Sequence, residues 1–189
     1  MSAPCIEFVC NRCDFIALDK VLLGPHSYRI DGREFNVDRE LGWCMQCQTL
    51  VGIERFNVNG TLDALERVKE KIDAHNACWR RRLFRPQQLT DLASSLSGIQ
   101  SRLAFFERRR GTEKCLRCSS TEVMPIAKKE YDLELRRFRY HGIRTTNFRH
   151  PGCGGTIIAQ PHPVRYHWRF YRRIYDHDGV FLGEEDYPG

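Results

Sequence analysis

Four short pairs of potential metal ligands recur along the chain, and they constrain the fold more than any other feature. Two residues separate the members of each pair, and the pairs are Cys10/Cys13, Cys44/Cys47, Cys115/Cys118 and His150/Cys153. Thirty residues lie between the first two pairs and 31 lie between the last two. Two such pairs complete a tetrahedral site for one metal ion, and an imidazole can replace a thiolate without changing its geometry.

The near-equal spacing predicts two sites, each built from neighbouring pairs, rather than chance pairs or redox-active dithiols. The first predicted site consists of Cys10, Cys13, Cys44 and Cys47, and the second consists of Cys115, Cys118, His150 and Cys153. Four protein ligands leave no coordination position for water or substrate, so we expect two structural Zn2+ ions as cofactors. The pair His75/Cys78 is a rival for the second site, although its predicted helical position favours a packed cysteine and a half-buried histidine. The roles of Cys5, His75 and Cys78 stay open.

Short β-hairpins are predicted between the ligand pairs. Asp31-Gly32 lies between two alternating segments over 27–37, which is the strongest short hairpin signal, and Thr49–Phe56 reads as a further strand. The segment from Cys115 to Cys153 repeats this organisation, with Phe138-Arg-Tyr-His-Gly142 as its inner hairpin and a predicted β-bulge near Arg136-Arg137.

The ligand pairs and the hairpins between them resemble the zinc-ribbon, or rubredoxin-like, superfamily over about residues 5–56 and 112–160. His150-Pro151-Gly152-Cys153-Gly154 looks like the family's metal-binding turn with histidine in place of the first cysteine, whereas Cys44-Met-Gln-Cys47-Gln48 lacks the usual glycine. The resemblance implies structural metal and no particular activity, because ribbons serve many functions.

The middle of the chain has a helical period. Apolar residues recur at spacings of three and four from Leu65 to Trp79 and again from Leu89 to Phe106, with Thr61 and Asp63 as the expected N-terminal cap and Pro86 in the first turn of the second helix. We expect the two helices to fold into an antiparallel hairpin. The alternative is a homodimer in which residues 86–110 form a short coiled coil between two chains.

These patterns predict an α+β fold in which two small zinc-ribbon β modules are joined by an antiparallel helical hairpin. The predicted divisions are residues 1–60 for the N-terminal ribbon, 61–111 for the helical hairpin and 112–189 for the second ribbon with a basic C-terminal β-hairpin. Nine cysteines, a start without signal-peptide features and no apolar run of bilayer length predict a cytoplasmic protein that does not bind membranes.

The net charge of +6 is unevenly distributed. Residues 80–173 carry 21 basic and 7 acidic side chains, while residues 174–189 carry 5 acidic side chains and no lysine or arginine. The alternation from Val164 to Tyr175 predicts one strand that presents Arg165, His167, Arg169, Tyr171 and Arg173 on the same face. Arg137, Arg139, Arg144 and Arg149 are expected to extend this basic stripe.

A stripe of arginines with accessible aromatic rings is typical of surfaces that bind phosphate backbones. We therefore predict a non-catalytic protein that contacts nucleic acid through Arg137, Arg139, Arg144, Arg165, His167, Arg169, Tyr171 and Arg173. The alternative is an adaptor whose basic surface binds an acidic protein partner, with the acidic tail as an internal competitor.

An enzyme is not expected. His141, Asn147 and His150 are too closely spaced for the hairpin and helix of a His–Asn–His nuclease, and His150 is better used as a metal ligand. Asp176-His-Asp178-Gly179 lacks the downstream glutamate of a calcium loop and reads as a hairpin turn. The sequence contains neither a phosphate-binding glycine loop nor a nucleophile elbow.

Overall fold

A computed structural model describes residues 2–30, 32–78, 86–109, 112–167 and 171–186. The chain divides into two compact units: one contains residues 1–55 together with 113–189, and the other contains residues 56–112. No helix in the described ranges is long and apolar enough to cross a membrane.

The larger unit is built mainly of short β-strands. Its strands in the described ranges are β1 (Ser2–Ala3), β2 (Ile6–Cys10), β3 (Ile16–Leu18), β4 (His26–Ile30), β5 (Arg33–Asn36), β6 (Arg39–Cys44), β7 (Thr49–Glu54), β8 (Val123–Pro125), β9 (Glu134–Arg136), β10 (Arg139–His141), β11 (Arg144–Arg149), β12 (Thr156–Pro161), β13 (Tyr166–His167), β14 (Tyr171–Tyr175) and β15 (Phe181–Asp186). A 3-10 helix covers Asp19–Leu22, and a single α-helical turn covers Lys128–Tyr131.

Strands from both sides of the helical segment lie in the same sheets. The strand orders are β11-β12-β2-β3, β15-β14-β4-β5 and β7-β6-β8, and two further pairs are β1-β13 and β10-β9. Strand β2 therefore lies beside β12, and β6 lies beside β8. The prediction of two separate ribbon modules, 1–60 and 112–189, is wrong in this respect, because both segments contribute strands to one unit.

An apolar core in the larger unit joins residues from both sequence segments. Phe8, Leu41, Trp43, Ile126 and Ile157 are among its buried members, and they come from strands or loops on both sides of the helical segment. Strand β2 alternates buried and half-buried residues, with Ile6, Phe8 and Cys10 on the buried face, as the two-residue period of a half-buried strand requires. Because Cys10 ends this strand at the core, the first ligand pair begins where the sheet ends.

The smaller unit contains helices α1 (Val58–Ala77) and α2 (Pro86–Arg109), which pack against each other. The apolar face of α1 is half-buried at Leu65, Val68 and Ile72, as the helical period predicts. The expected cap at Thr61 and Asp63 is wrong: α1 begins one turn earlier, and the Asn57 side chain accepts a hydrogen bond of 3.0 Å from Gly60 N. The homodimer through residues 86–110 stays a prediction that light scattering can test.

Aromatic packing closes one end of the helical unit. Phe105 and Phe106 are buried, and Phe56 lies 6.1 and 5.1 Å from them between ring centroids. The Arg109 guanidinium lies over the Phe56 ring at 5.4 Å, a geometry in which the ring face attracts the cation. These contacts hold the end of α2 against the segment that precedes α1.

Candidate metal centres and basic surface

Cys10, Cys13, His150 and Cys153 form one of two four-residue ligand groups, which we call the outer site. The sulfur atoms of Cys10 and Cys153 are 3.4 Å apart, and those of Cys13 and Cys153 are 3.5 Å apart. His150 Nδ1 lies 3.3 Å from Cys13 Sγ and 3.2 Å from Cys153 Sγ. The donor set is three thiols and one imidazole, and Nδ1 is the ring nitrogen that points into it.

Cys44, Cys47, Cys115 and Cys118 form the second group, which we call the inner site because its ligands lie between those of the outer site in sequence. Sulfur–sulfur distances are 3.5 Å between Cys44 and Cys118 and 3.9 Å between Cys47 and Cys115. Cys44 and Cys115 are fully buried, while their pair partners are half-buried.

Both groups have the dimensions of a tetrahedral metal site. Sulfur ligands at the usual zinc distance stand about 3.8 Å apart, and a sulfur and an imidazole nitrogen stand about 3.5 Å apart. The ligand–ligand distances of 3.2–3.5 Å in the outer site and 3.5–3.9 Å in the inner site are close to these values. In each group all ligand atoms lie within 4.8 Å of one another. Each group can therefore hold one metal ion with four protein ligands and little movement.

The eight predicted ligands are all present in these groups, but the predicted partition is wrong. The sequence spacing predicted Cys10 and Cys13 with Cys44 and Cys47, whereas the structure places them with His150 and Cys153. The first pair thus meets the fourth, and the second pair (Cys44, Cys47) meets the third (Cys115, Cys118).

The strand pairing explains the partition. Cys10 at the end of β2 pairs with Ile157 of β12, which brings the His150–Cys153 turn to the first pair. Cys44 at the end of β6 pairs with Val123 of β8, and Ile53 of β7 forms a bridge with Cys115. Long-range strand pairing, rather than sequence proximity, therefore selects the partners of each ligand pair.

Each ligand pair sits on a tight turn closed between its first residue and the residue five positions later. Backbone N–H groups donate from Cys10 to Phe15 O (3.1 Å), from Cys115 to Ser120 O (2.9 Å) and from His150 to Gly155 O (2.7 Å). In the remaining turn Cys44 is the strand partner of Thr49. The four turns are local structures that their own sequences can form.

Backbone amides also point at the ligand sulfurs. Arg12 N and Gly155 N lie 3.4 Å from Cys10 Sγ and Cys153 Sγ, and Arg117 N lies 3.3 Å from Cys115 Sγ. The corresponding donor to Cys44 Sγ is Cys47 N at 3.4 Å. Hydrogen bonds of this kind favour the charged thiolate that a metal ion requires.

Three of the four turns have a left-handed residue directly after the second ligand. Gly154 has φ 69°, and the non-glycine residues Gln48 and Ser119 have φ 50° and 61°. The sequence suggested that the Cys44–Cys47 turn is atypical because it lacks glycine, yet its backbone adopts the same conformation. Gln48 and Ser119 therefore carry a conformational cost that Gly154 avoids.

His150 is held between two aromatic rings. It stacks on Phe15 at 4.8 Å and meets the edge of Trp43 at 5.0 Å between ring centroids, and only 8% of its surface is exposed. This packing fixes the imidazole plane and keeps water away from one side of the outer site. Phe15 follows Cys13 by two residues, a signal that sequence reasoning missed.

Burial changes the acidity of the thiols when no metal is bound. It raises the pKa of the Cys47 thiol to about 11 and also raises the pKa of Cys115. Metal binding must therefore release protons from this group, and its affinity for metal must fall as the pH falls.

His75 and Cys78 do not join a metal group in the part of the chain that the structure describes. His75 is buried in the helical unit, and its carbonyl accepts a hydrogen bond of 3.2 Å from Cys78 N at the end of α1. Cys5 is a buried thiol 4.0 Å from Ala3 O. The expectation of a packed cysteine and a half-buried histidine is wrong in detail, because His75 is the buried member of the pair and Cys78 is half-buried.

The third group of potential ligands, Asp176, His177 and Asp178, lies in the β14–β15 turn. Asp176 Oδ1 accepts hydrogen bonds of 2.8 Å from Asp178 N and from Val180 N. Its carboxylate therefore stabilises the turn, as the sequence analysis expected.

The predicted basic strand over Val164–Tyr175 is two strands in different sheets. β13 pairs with β1, whereas β14 pairs with β15 and β4. The prediction of one continuous face from Arg165 to Arg173 is therefore wrong. His167 lies in β13, Tyr171 and Arg173 are exposed in β14, and Arg169 falls outside the described residues.

The acidic tail pairs with part of the predicted stripe. Arg173 Nε lies 3.0 Å from Glu184 Oε1, and Arg172 and Arg29 lie 2.9 and 2.7 Å from the Glu185 carboxylate. The Arg29 and Arg172 hydrogen bonds hold the pKa of Glu185 at about 2. The β14–β15 hairpin therefore uses its own carboxylates to neutralise these arginines.

Other predicted arginines converge at a separate place in the larger unit. Arg139 and Arg165 line one pocket of about 290 Å³. Its other lining residues are Pro4, Cys5, Tyr140, His141, Pro161, His162 and Pro163. We call this the Arg139–Arg165 pocket, and none of its described lining residues is acidic. Two carboxylates lie behind this lining: Glu7 is 3.9 Å from His162 Nε2, and Asp19 hydrogen bonds to the Cys5 thiol.

Arg137 and Arg144 are exposed but do not line this pocket. Arg137 lies in the turn between β9 and β10, and Arg144 Nη1 donates a hydrogen bond of 2.8 Å to Lys129 O.

Sequence reasoning missed His162 because Pro161 and Pro163 made it look like a linker residue. It also left Phe138 out of the surface residues, although three arginines surround it in sequence.

The arrangement thus consists of two closed ligand groups and one basic pocket with aromatic and imidazole side chains. The ligand groups can bind metal but offer no vacant position for a substrate.

Comparison of the chain with protein-family models, curated proteins and solved structures found no match.

Proposed function

We propose that this chain is a non-catalytic protein with two structural zinc ions that contacts nucleic acid through the basic surface around the Arg139–Arg165 pocket. Zinc is the ion that suits both donor sets, because thiolates and imidazole in tetrahedral geometry are its usual structural ligands. The thiolates must stay reduced, so we further propose a reducing compartment such as the cytoplasm.

The observation that carries the nucleic-acid proposal is the convergence of Arg139 and Arg165 on one pocket whose described lining residues include no acidic side chain. Two guanidinium groups can each form paired hydrogen bonds to phosphate oxygens, which lysine cannot do. Tyr140, His141 and His162 add rings and ring nitrogens that can stack on bases or donate to them. A phosphate chain would supply negative charge that the described lining residues of the pocket lack.

The β14–β15 hairpin is a weaker candidate for the same role. Arg173 is already paired with Glu184, and Arg172 with Glu185. A nucleic acid would have to displace these carboxylates before it could bind there, and this costs part of the interaction energy. We therefore assign the contact to the Arg139–Arg165 pocket and to the exposed Arg137 beside it.

The test is a comparison of two charge-matched double variants. Arg139→Gln/Arg165→Gln should lower affinity for RNA or DNA and reduce the slope of log affinity against log salt by about two. Arg33→Gln/Arg55→Gln removes the same charge from exposed positions elsewhere in the larger unit and should change the affinity much less. Both variants should retain two metal ions per chain.

Equal loss in both variants would show that net charge alone drives binding. Absence of any binding by the parent protein, at low salt and with both RNA and DNA, would contradict the proposal. Capture of an acidic protein by the parent but not by the pocket variant would favour the adaptor interpretation instead.

A further inference from the structure

The turn between β9 and β10 has an unusual sequence for its geometry. Arg136 pairs with Arg139 across the two strands, so Arg137 and Phe138 form a two-residue loop. Both loop residues have positive φ, 46° and 64°. Turns with two left-handed residues normally use Asn-Gly or Gly-Gly, because other side chains collide with the backbone. An Arg-Phe turn of this type costs stability that a simpler sequence would retain.

Phe138 is also the most exposed large apolar side chain among the described residues, at 76%. It packs against no aromatic ring among the described residues, and it stands at the tip of the hairpin. Non-glycine residues with left-handed backbone cluster at ligand-binding sites, where the cost is balanced by what the side chain does. The tip therefore presents a phenyl ring to solvent rather than to the core.

Positive charge surrounds this ring. Arg137 and Arg139 flank Phe138 in the chain, and neither makes an ion pair within the described ranges. Arg165 Nη1 donates a hydrogen bond of 2.7 Å to Phe138 O, which ties the tip to the Arg139–Arg165 pocket. Glu134, the nearest acidic residue in β9, is paired with Arg136 at 2.6 Å. The partner of the ring should therefore combine an apolar surface with negative charge.

We propose that Phe138 stacks on an unpaired base of single-stranded nucleic acid while Arg137, Arg139 and Arg165 hold the adjoining phosphates. This inference rests on the proposed nucleic-acid function and names the form of nucleic acid that fits it. In a duplex the base faces are already stacked on one another, whereas an unpaired base can turn its face to an exposed ring. The two-residue tip carries one ring, which is enough to bind one splayed base.

The experiment compares Phe138→Gly with Phe138→Trp. Glycine suits a φ of 64°, so Phe138→Gly should raise Tm by roughly 2 °C or more while it lowers affinity for a thymidine or uridine oligonucleotide by roughly 5- to 150-fold. Phe138→Trp should retain the affinity, because its larger ring also stacks. Leu182→Ala, which trims another exposed apolar side chain, should leave the affinity unchanged.

Three further measurements make the test specific. Affinity for a duplex of the same length should change little in Phe138→Gly, and the fluorescence of 2-aminopurine in a single strand should fall on binding to the parent but not to this variant. If Phe138→Gly weakens single-strand and duplex binding equally, or weakens neither, the stacking inference is wrong while the nucleic-acid proposal survives. If the parent binds neither form, both proposals fail. Binding of the parent to phosphatidylserine vesicles but not to oligonucleotides would replace the base with a membrane surface.

Discussion

The partition of the eight ligands can be tested by removing one pair at a time. We expect Cys10→Ser/Cys13→Ser to abolish the outer site and leave the inner site with four cysteines intact. The protein should then bind one metal ion, coordinated by four sulfurs. If ligand pairs met their sequence neighbours instead, the same variant would retain the site with three cysteines and His150.

The structure also gives the size of the coupling between the two sites. The outer site closes a loop of 137 residues from Cys13 to His150, and the inner site closes 68 of those residues from Cys47 to Cys115. Loop-closure entropies of about 5 and 4 kcal/mol follow for the two links taken alone, by the relation used for covalent cross-links. Once the inner site has formed, the remaining outer loop is about half as long, which favours outer closure by about 0.6 kcal/mol.

This coupling is reciprocal, so loss of either site should weaken metal binding at the other by at least roughly threefold. Adjacent loops that do not enclose one another would give no such entropic coupling. A structural zinc ion contributes about 10–16 kcal/mol in small zinc domains, compared with a total stability of about 5–15 kcal/mol for most proteins. We therefore expect removal of both sites to unfold the larger unit.

Cobalt substitution provides the assay, because Co2+ absorption depends on the number of thiolate ligands. The spectrum of the parent should contain one component from a site with three thiolates and an imidazole and one from a site with four thiolates. Cys10→Ser/Cys13→Ser should retain only the component from the site with four thiolates. Adding Cys153→Ser to that variant should cause no further loss of metal, whereas adding Cys44→Ser/Cys47→Ser should remove the last ion. Retention of the imidazole-containing spectrum in the first variant would refute the interleaved arrangement.

Three further predictions concern backbone and charge. Gln48→Gly should raise the free energy of unfolding by ~1 kcal/mol, because glycine adopts a φ of 50° without collision; a lower Tm for the metal-loaded variant would contradict this. Burial raises the pKa of Asp19 from 3.8 to about 6, so the folded protein holds this proton more tightly and its stability falls as the pH rises from about 4 to 6. Asp19→Asn should therefore be more stable than the parent at pH 7.5, by at most ~3 kcal/mol, and denaturant titration at pH 5 should show a smaller gain. Gly60→Ala should destabilise the helical unit by about 0.5–2 kcal/mol, because a Cβ at that position overlaps the Asn57 cap. Gly98→Ala should stabilise α2 by up to about 1 kcal/mol, because a Cβ there meets nothing within 4 Å. Circular dichroism during thermal unfolding distinguishes the two effects.

Features that depend on neighbouring residues could be predicted from the sequence. Ile30 pairs with Arg33, so β4 and β5 form the expected hairpin, and Pro86 begins α2 as expected. The eight ligands were also identifiable, because each tight turn forms within six residues. In these cases the local sequence contains both the signal and the structure that it determines.

Features that depend on long-range pairing could not be predicted in the same way. Near-equal gaps of 30 and 31 residues suggested a duplicated module, but a gap length does not record which strands become neighbours. The sheet places β12 beside β2, and this pairing brings Cys153 to Cys10. Loop-closure entropy disfavours the link from Cys13 to His150, relative to the predicted link from Cys13 to Cys44, by only about 1 kcal/mol. Burial of a few apolar side chains such as Phe8 and Ile157 outweighs this cost.

The turn at Arg137 and Phe138 was misread for a different physical reason. The parity of apolar residues changes between Leu135 and Phe138, which indicated a bulge in a continuing strand. A two-residue turn changes the parity as well, but it normally carries glycine or asparagine, and neither is present here. The sequence departs from the usual turn residues at the position where an exposed ring is held at the hairpin tip.

The interleaved fold also changes where the basic surface belongs. The sequence assigned that surface to the second half of the chain, as one face of a separate module. In the structure, β12 runs from the outer metal site along β2 and ends at Pro161, and Pro4 and Cys5 from the first half complete the Arg139–Arg165 pocket. His162 N donates to Cys5 O at 3.0 Å, so the two halves meet in the pocket wall. A fragment that starts at residue 112 would therefore lack half of the ligands of each metal site and one wall of the pocket, and it would not reproduce the binding surface of the whole chain.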